Sequence, residues 1–270
     1  MLREITLGQY YPADSWIHKL DPRVKLLTTL VYIITLFMFH TPANYVFAAL
    51  CLGVVIRFST VPLSFITRGL RSIFILMLIT VAFNLFLTPG QVIFKIGFLT
   101  VTLEGLLLSL GMAVRLVLLV IGSSVMTLTT TPNDLTDGME KGLGFLNKLH
   151  VPVHEIALMM SIALRFIPIL MEETDKIMKA QMARGADFET GGLVKRAKAM
   201  IPLLVPLFIS AFRRANDLAM AMEARGYHGG EGRTKMRPLQ YQKRDHIAYL
   251  MLAAYLAVQC VLGWVVKLPF

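Results

Sequence analysis

The chain has 270 residues, 56% hydrophobic and 16% charged, with a net charge of +10 and a mean hydropathy of +0.63. A soluble globular domain carries about a quarter charged residues, so this composition excludes an ordinary soluble enzyme and points to a membrane. The basic residues stand between apolar blocks, not in one aromatic-rich cluster, which argues against nucleic acid and for orientation in a bilayer.

The first 22 residues are polar and contain Pro12, Asp14 and Asp21, unlike a cleavable signal peptide. Spanning a hydrocarbon core takes about 20 mostly apolar residues, and the blocks 24–39, 43–58, 73–88 and 106–128 approach that length. A fifth block, 247–266, follows much later. Only "HTPAN" separates the first two, so Pro42 and Asn44 predict a tight turn and a helical hairpin. Arg3, Lys19, Arg23 and Lys25 lie at the start of the chain, and Arg57, Arg68 and Arg71 lie between the second and third blocks. The alternate loops hold no Lys or Arg (40–43) and one (Lys95). The positive-inside rule then predicts a cytoplasmic N-terminus and, after five spans, a C-terminus outside. Cys51 and Cys260 sit inside apolar runs, unlike a disulfide or metal pair.

These blocks divide the chain into a four-span membrane domain (1–130), a cytoplasmic helical domain (131–245) and a final membrane helix (246–270). The middle domain holds most of the charge. "TTTPNDLTDGMEKGL" predicts a short helix with Asp134 and Asp137 in its first turn. From Pro152 a long helix is predicted, with Ile156, Met159, Met160, Ala163, Leu164, Ile167, Leu170 and Met171 recurring at the helical period. Gly191 and Gly192 break the pattern before a second helix that ends near Arg225. Arg165 interrupts the apolar run of the first, and Pro168, Pro202 and Pro206 predict bends. Neither reads as a clean span. Both read as amphipathic, one end against the bilayer and the other in the cytosol.

Each long helix ends in the same tripeptide: Ala183-Arg184-Gly185 and Ala224-Arg225-Gly226. A glycine after the last turn is a common cap, and a terminal arginine complements the helix dipole by about 0.3–1 kcal/mol. Lysine or histidine would serve the dipole equally well. The repetition therefore suggests a second role, docking in two similar acidic grooves through bidentate hydrogen bonds.

With these two motifs, "DPRVKLL", "EGLLLSLGMAVRLVLLV", "TLTTTPNDLTDGMEKGL", "ALMMSIALRFIPILMEETDKIMKAQMARG" and "RRANDLAMAMEARGY", the chain closely resembles the T component (EcfT) of energy-coupling factor transporters over nearly its whole length. The resemblance implies an all-α membrane protein with about five transmembrane helices and cytoplasmic coupling helices, in a bacterial cell membrane. It implies a scaffold joining two ABC ATPase subunits to an exchangeable substrate-binding S component for vitamin or micronutrient uptake, with Arg184 and Arg225 docking on the ATPases. No catalysis, cofactor or metal is implied for the chain itself. A dedicated cobalt or nickel importer subunit is the near alternative. An intramembrane prenyl-transferring enzyme is the distant one.

Other features carry less. His150 and His154 are four apart, but Pro152 stands between them, which disfavours a metal pair. Glu172, Glu173 and Asp175 resemble one acidic Mg²⁺ motif without the second that prenyl transfer needs. No P-loop occurs, and the glycine-rich "EARGYHGGEGR" follows a helix and so cannot set a helix N-terminus on a phosphate. Arg115, mid-span, is either a functional intramembrane charge or one satisfied by the bundle.

Overall fold

The computed structural model describes residues 10–96, 99–188, 192–230, 232, 236 and 238–265. Among them the chain forms α1 (Pro22–Met38), α2 (Pro42–Ser59), α3 (Leu63–Leu87), β1 (Val92–Ile96), β2 (Leu99–Thr102), α4 (Leu103–Thr129), α5 (Pro132–Gly142), a 3₁₀ turn (Gly144–Leu149), α6 (Val153–Ala183), α7 (Leu193–Ala224) and α8 (Lys243–Val265). Arg3, Gly191 and Val266 lie outside the described residues. The described residues are all-α apart from one small antiparallel hairpin, β1–β2. This hairpin was not expected from the sequence, because its two short β-branched strands lie between spans with no turn signal beyond Gly97.

Helix starts follow the capping chemistry closely. Asp21 precedes Pro22 and accepts the Arg23 N–H at 2.9 Å. Thr41 precedes Pro42 and accepts the Asn44 N–H. Thr102 accepts the Gly105 N–H at 3.0 Å at the head of α4, and Thr131 the Asp134 N–H at 3.2 Å ahead of α5. Each supplies an oxygen to an N–H that the first turn leaves without a partner. Proline at the first position loses nothing by lacking one.

Four helices, α2, α4, α6 and α8, are long and apolar enough to cross a membrane, and α3, bent by 56° between Arg71 and Ile73, is a fifth candidate. Two differences from the sequence reading have plain causes. At 17 residues, one fewer than α2, α1 rises about 25 Å and reaches across a hydrocarbon core of about 30 Å only with its flanking residues. In α6, one arginine does not outweigh the surrounding Leu, Ile, Met and Phe, and an 18-residue window still averages a hydropathy of 1.7. By composition α6 therefore reads as a candidate span, where the sequence reading denied it one.

The described residues form two compact units, 10–142 with 239–265, and 143–238. In the first, the core joins Tyr32 and Leu36 of α1, Tyr45, Ala48 and Leu52 of α2, Val61 and Ile66 around the start of α3, and Leu118, Val125 and Leu128 of α4. Gly122 lets the Tyr32 ring lie on α4, since a Cβ there would come within 2.6 Å of the ring. Toward α8, Asn44 donates to the Gln259 carbonyl at 3.0 Å. Gln259 Nε2 donates to the Tyr255 hydroxyl at 3.1 Å, which meets Thr35 Oγ1 at 2.9 Å. Outside, Leu27, Leu30, Ile34 and Phe37 make one exposed stripe on α1. This apolar exterior is what a bundle solvated by lipid presents.

Candidate functional site

The second unit is built on the two long helices. α7 returns antiparallel to α6: Glu173 accepts from Ser210 Oγ at 2.6 Å and from Arg214 Nη2 at 2.7 Å. Gln181 donates to the Pro202 carbonyl at 3.4 Å, and Gly230 lies against His154 at the start of α6. Pro168, Pro202 and Pro206 all lie inside helices, as expected.

Both tripeptides end their helices in the same way. Arg184 has φ −88° and ψ 6°, and Arg225 has φ −90° and ψ 7°. The following glycines are left-handed, Gly185 at φ 86° and Gly226 at φ 69°. Gly185 N–H donates to Met182 at 3.0 Å and Ala186 N–H to Gln181 at 3.0 Å. Gly226 N–H donates to Glu223 at 2.8 Å and Tyr227 N–H to Met222 at 3.0 Å. This is the two-bond Schellman closure, and it requires glycine at the left-handed position.

The closure accounts for the glycines and not for the rest. Ala183, Arg184, Gly185, Ala224, Arg225 and Gly226 are all exposed. No Cβ built on either glycine would meet another atom within 4 Å. Among the described residues neither guanidinium has a hydrogen-bond or ion-pair partner. Antiparallel packing puts Arg184 at one end of the helix pair and Arg225 at the other, about 40 Å apart along α7 at about 1.5 Å per residue. They cannot share one small site. Each presents a planar five-donor fork, with a small alanine before it and a bare glycine after it, free to enter a groove.

Between them α7 carries an apolar stripe at helical spacing. Ile201, Leu204, Val205, Phe208, Ile209 and Phe212 are 42–66% exposed, while Leu203, off the stripe, is buried. On α6, Ile156, Met159 and Met160 are also exposed. So much uncovered apolar area on one helix marks a surface for lipid or for another protein.

The remaining sequence candidates are placed plainly. Arg115 donates from Nε to the Tyr45 hydroxyl at 2.9 Å and from Nη2 to the same oxygen. It also stacks on the Phe37 ring at 5.6 Å, so a bundle tyrosine satisfies it. Glu104, in the first turn of the same helix as Arg115, accepts the Gln91 N–H at 2.7 Å, holding the β-hairpin to α4. Glu173 of the acidic "EETD" run is occupied by Arg214 and Ser210. Among the described residues no group of three His, Cys, Asp or Glu could hold a metal ion.

The sequence reading missed a buried charged cluster in the first unit. Asp245, 1% exposed, accepts the Asp21 N–H at 2.9 Å and the Gln242 N–H at 2.8 Å. Arg23 pairs with Asp21 at 3.0 Å, donates to the Leu239 carbonyl at 3.2 Å and lies 4.1 Å over the Tyr241 ring. The buried Lys25 donates to the carbonyls of His18 at 3.0 Å and Thr129 at 2.8 Å. The available signal was the charge set Asp21, Arg23, Lys25 and Asp245 directly at the heads of apolar runs.

Comparison with known proteins agrees with this architecture. Residues 13–236 match the cobalt transport protein (CbiQ) family. The chain is 56% identical over 252 residues to an energy-coupling factor transporter transmembrane protein EcfT of Clostridium kluyveri, covering 93% of each chain. It is 49% identical over 267 residues to that of Acidaminococcus fermentans, with 98% of each covered. Against that of Bacillus subtilis it is 48% identical over 260 residues, 95% of this chain and 98% of the relative.

Proposed function

This chain belongs to the EcfT family of energy-coupling factor transporter transmembrane proteins, and from that premise we propose that it passes ATP-driven motion from two ABC ATPase subunits to a substrate-binding S component. The observation that carries the reading is the pair of identically capped arginines at opposite ends of α6–α7, neither with a partner among the described residues. Two separate cationic forks suit two separate acidic grooves, one on each ATPase. A bidentate guanidinium in such a groove forms charge-assisted hydrogen bonds of about 1.5–3 kcal/mol each. The chain hydrolyses nothing in this reading. The exposed stripe of α7 receives the S component, and the exposed methionines of the same two helices, Met200 and Met220 of α7 with Met159 and Met160 of α6, can re-pack against more than one partner.

In this reading α6, although apolar enough to span, lies with α7 along the cytoplasmic face and does not cross. The 131–245 region with both arginines and the N-terminus therefore face the cytoplasm and the C-terminus lies outside, in a bacterial cell membrane. Arg57, Arg68 and Arg71, on the face where α2 ends and α3 begins, support this orientation. Vitamins or other micronutrients are the cargo, recognised by the S component. The cobalt name of the matched family keeps a dedicated cobalt importer as the second reading. Purification of the tagged chain from its native membrane tests both. Two different ATPases with a small membrane protein support the shared vitamin system, a single ATPase with cobalt-binding subunits supports the dedicated one, and recovery of the chain alone overturns the coupling role.

A further inference from the structure

Among the described residues the chain leaves the first unit after α5 and re-enters it at Leu239, so two described covalent connections join the units at these points. Both are fastened to the same turn of α1. On the exit side, α5 lies against α1 so closely that a Cβ on Gly138 would come within 2.8 Å of Pro22 and 3.3 Å of Leu26. Just upstream, the end of α4 is held by Lys25 through the Thr129 carbonyl at 2.8 Å. On the return side, Arg23 donates to the Leu239 carbonyl at 3.2 Å and stacks on Tyr241 at 4.1 Å. Asp245 ties the start of α8 to the Asp21 N–H at 2.9 Å. Stretch 21–26 thus grips both connections with one carboxylate, a guanidinium and an ammonium, and Asp245 of α8 adds a second carboxylate.

Burying such charges is expensive, and apolar packing of the same volume would often be as stable or more so. What the charged cluster adds is direction and stiffness: short hydrogen bonds to named carbonyls hold a fixed geometry that interchangeable apolar contacts do not. We propose that Asp21, Arg23, Lys25 and Asp245 are positioning residues that fix both inter-unit connections to the first turn of α1, so that motion of the 143–238 unit enters the membrane bundle at α1. Nothing in this requires them to touch an ATPase or a substrate. The inference rests on the coupling function proposed above.

The test uses the purified whole transporter complex in liposomes, with Cys51 and Cys260 replaced and Ile34→Cys on the exposed stripe of α1 labelled with bimane. Expected is an ATP-dependent change of bimane emission that Arg23→Gln reduces severalfold while ATP hydrolysis per complex and subunit stoichiometry hold. Loss of one such hydrogen bond shifts a two-state population by about tenfold. Tyr241→Ala, which removes the ring beneath Arg23 at a 46% exposed residue together with its ring contacts to His246 and Tyr249, is expected to act in the same direction and keeps the test valid if Arg23→Gln does not fold. Arg23→Lys is expected to restore part of the signal. An unchanged emission response in both Arg23→Gln and Tyr241→Ala overturns the proposal, as does an unmodified complex that hydrolyses ATP without any response at position 34. Absence of ATPases from the purified complex overturns the coupling reading instead.

Discussion

Consider replacing both motif arginines, Arg184 and Arg225, by alanine. Both are exposed, without partners among the described residues, and follow the last helical residue. Within the isolated chain the loss is the charge–dipole contribution, about 0.3–1 kcal/mol at each end, and the glycine caps remain. Thermal unfolding of the purified chain should therefore shift little. In the assembled transporter each substitution removes charge-assisted hydrogen bonds of about 1.5–3 kcal/mol and leaves a groove unpaired. One substitution should loosen attachment by about tenfold or more, and the second should release the ATPases because two-point tethering is lost. Gly185→Ala and Gly226→Ala give the converse. A Cβ forced to φ 86° or 69° costs about 1–2 kcal/mol, so the helix end frays with the arginine still present. The assay is ATPase retention on the tagged chain in mild detergent, beside its unfolding temperature. Full retention by the double alanine variant would refute docking through these arginines, and full function with lysine at both positions would reduce them to cap charges.

Leu204→Glu, on the exposed stripe of α7, should cost several kcal/mol if an S component buries it, giving loss of that subunit on copurification with both ATPases kept. Cysteines placed singly at Thr60 and Ala186, in a chain lacking Cys51 and Cys260, should react with an impermeant thiol reagent only from the cytoplasmic side, and one at Gln91 only from outside; outside labelling at position 186 refutes the orientation. Tyr45→Phe removes the oxygen that receives both Arg115 donors and should lower stability by about 1.5–3 kcal/mol, seen as a lower unfolding temperature with uptake per folded complex unchanged. Gly122→Ala drives a Cβ to 2.6 Å from the Tyr32 ring and should destabilise the bundle by about 1–3 kcal/mol, whereas Gly53→Ala, in open space, should be neutral.

The sequence alone determined the class and the positions of the motifs. Apolar blocks of span length, proline after Asp21, Thr41 and Thr131, and glycine after Arg184 and Arg225 are local signals. A helix start or stop depends on a few neighbouring residues and on whether their N–H and C=O groups find partners. The periodic apolar positions of α6 were legible for the same reason. Only the tertiary structure decided how those elements meet. No local pattern shows that Asp245 reaches across 224 residues to the Asp21 N–H, or that Arg115 meets Tyr45 rather than a carbonyl. Nor does one show that Gly122 is bare to admit a tyrosine ring. Antiparallel return of α7 along α6 was equally hidden, and it alone sets Arg184 and Arg225 at opposite ends. These are pairings between distant segments, whose energy depends on a geometry that exists only once the helices have packed.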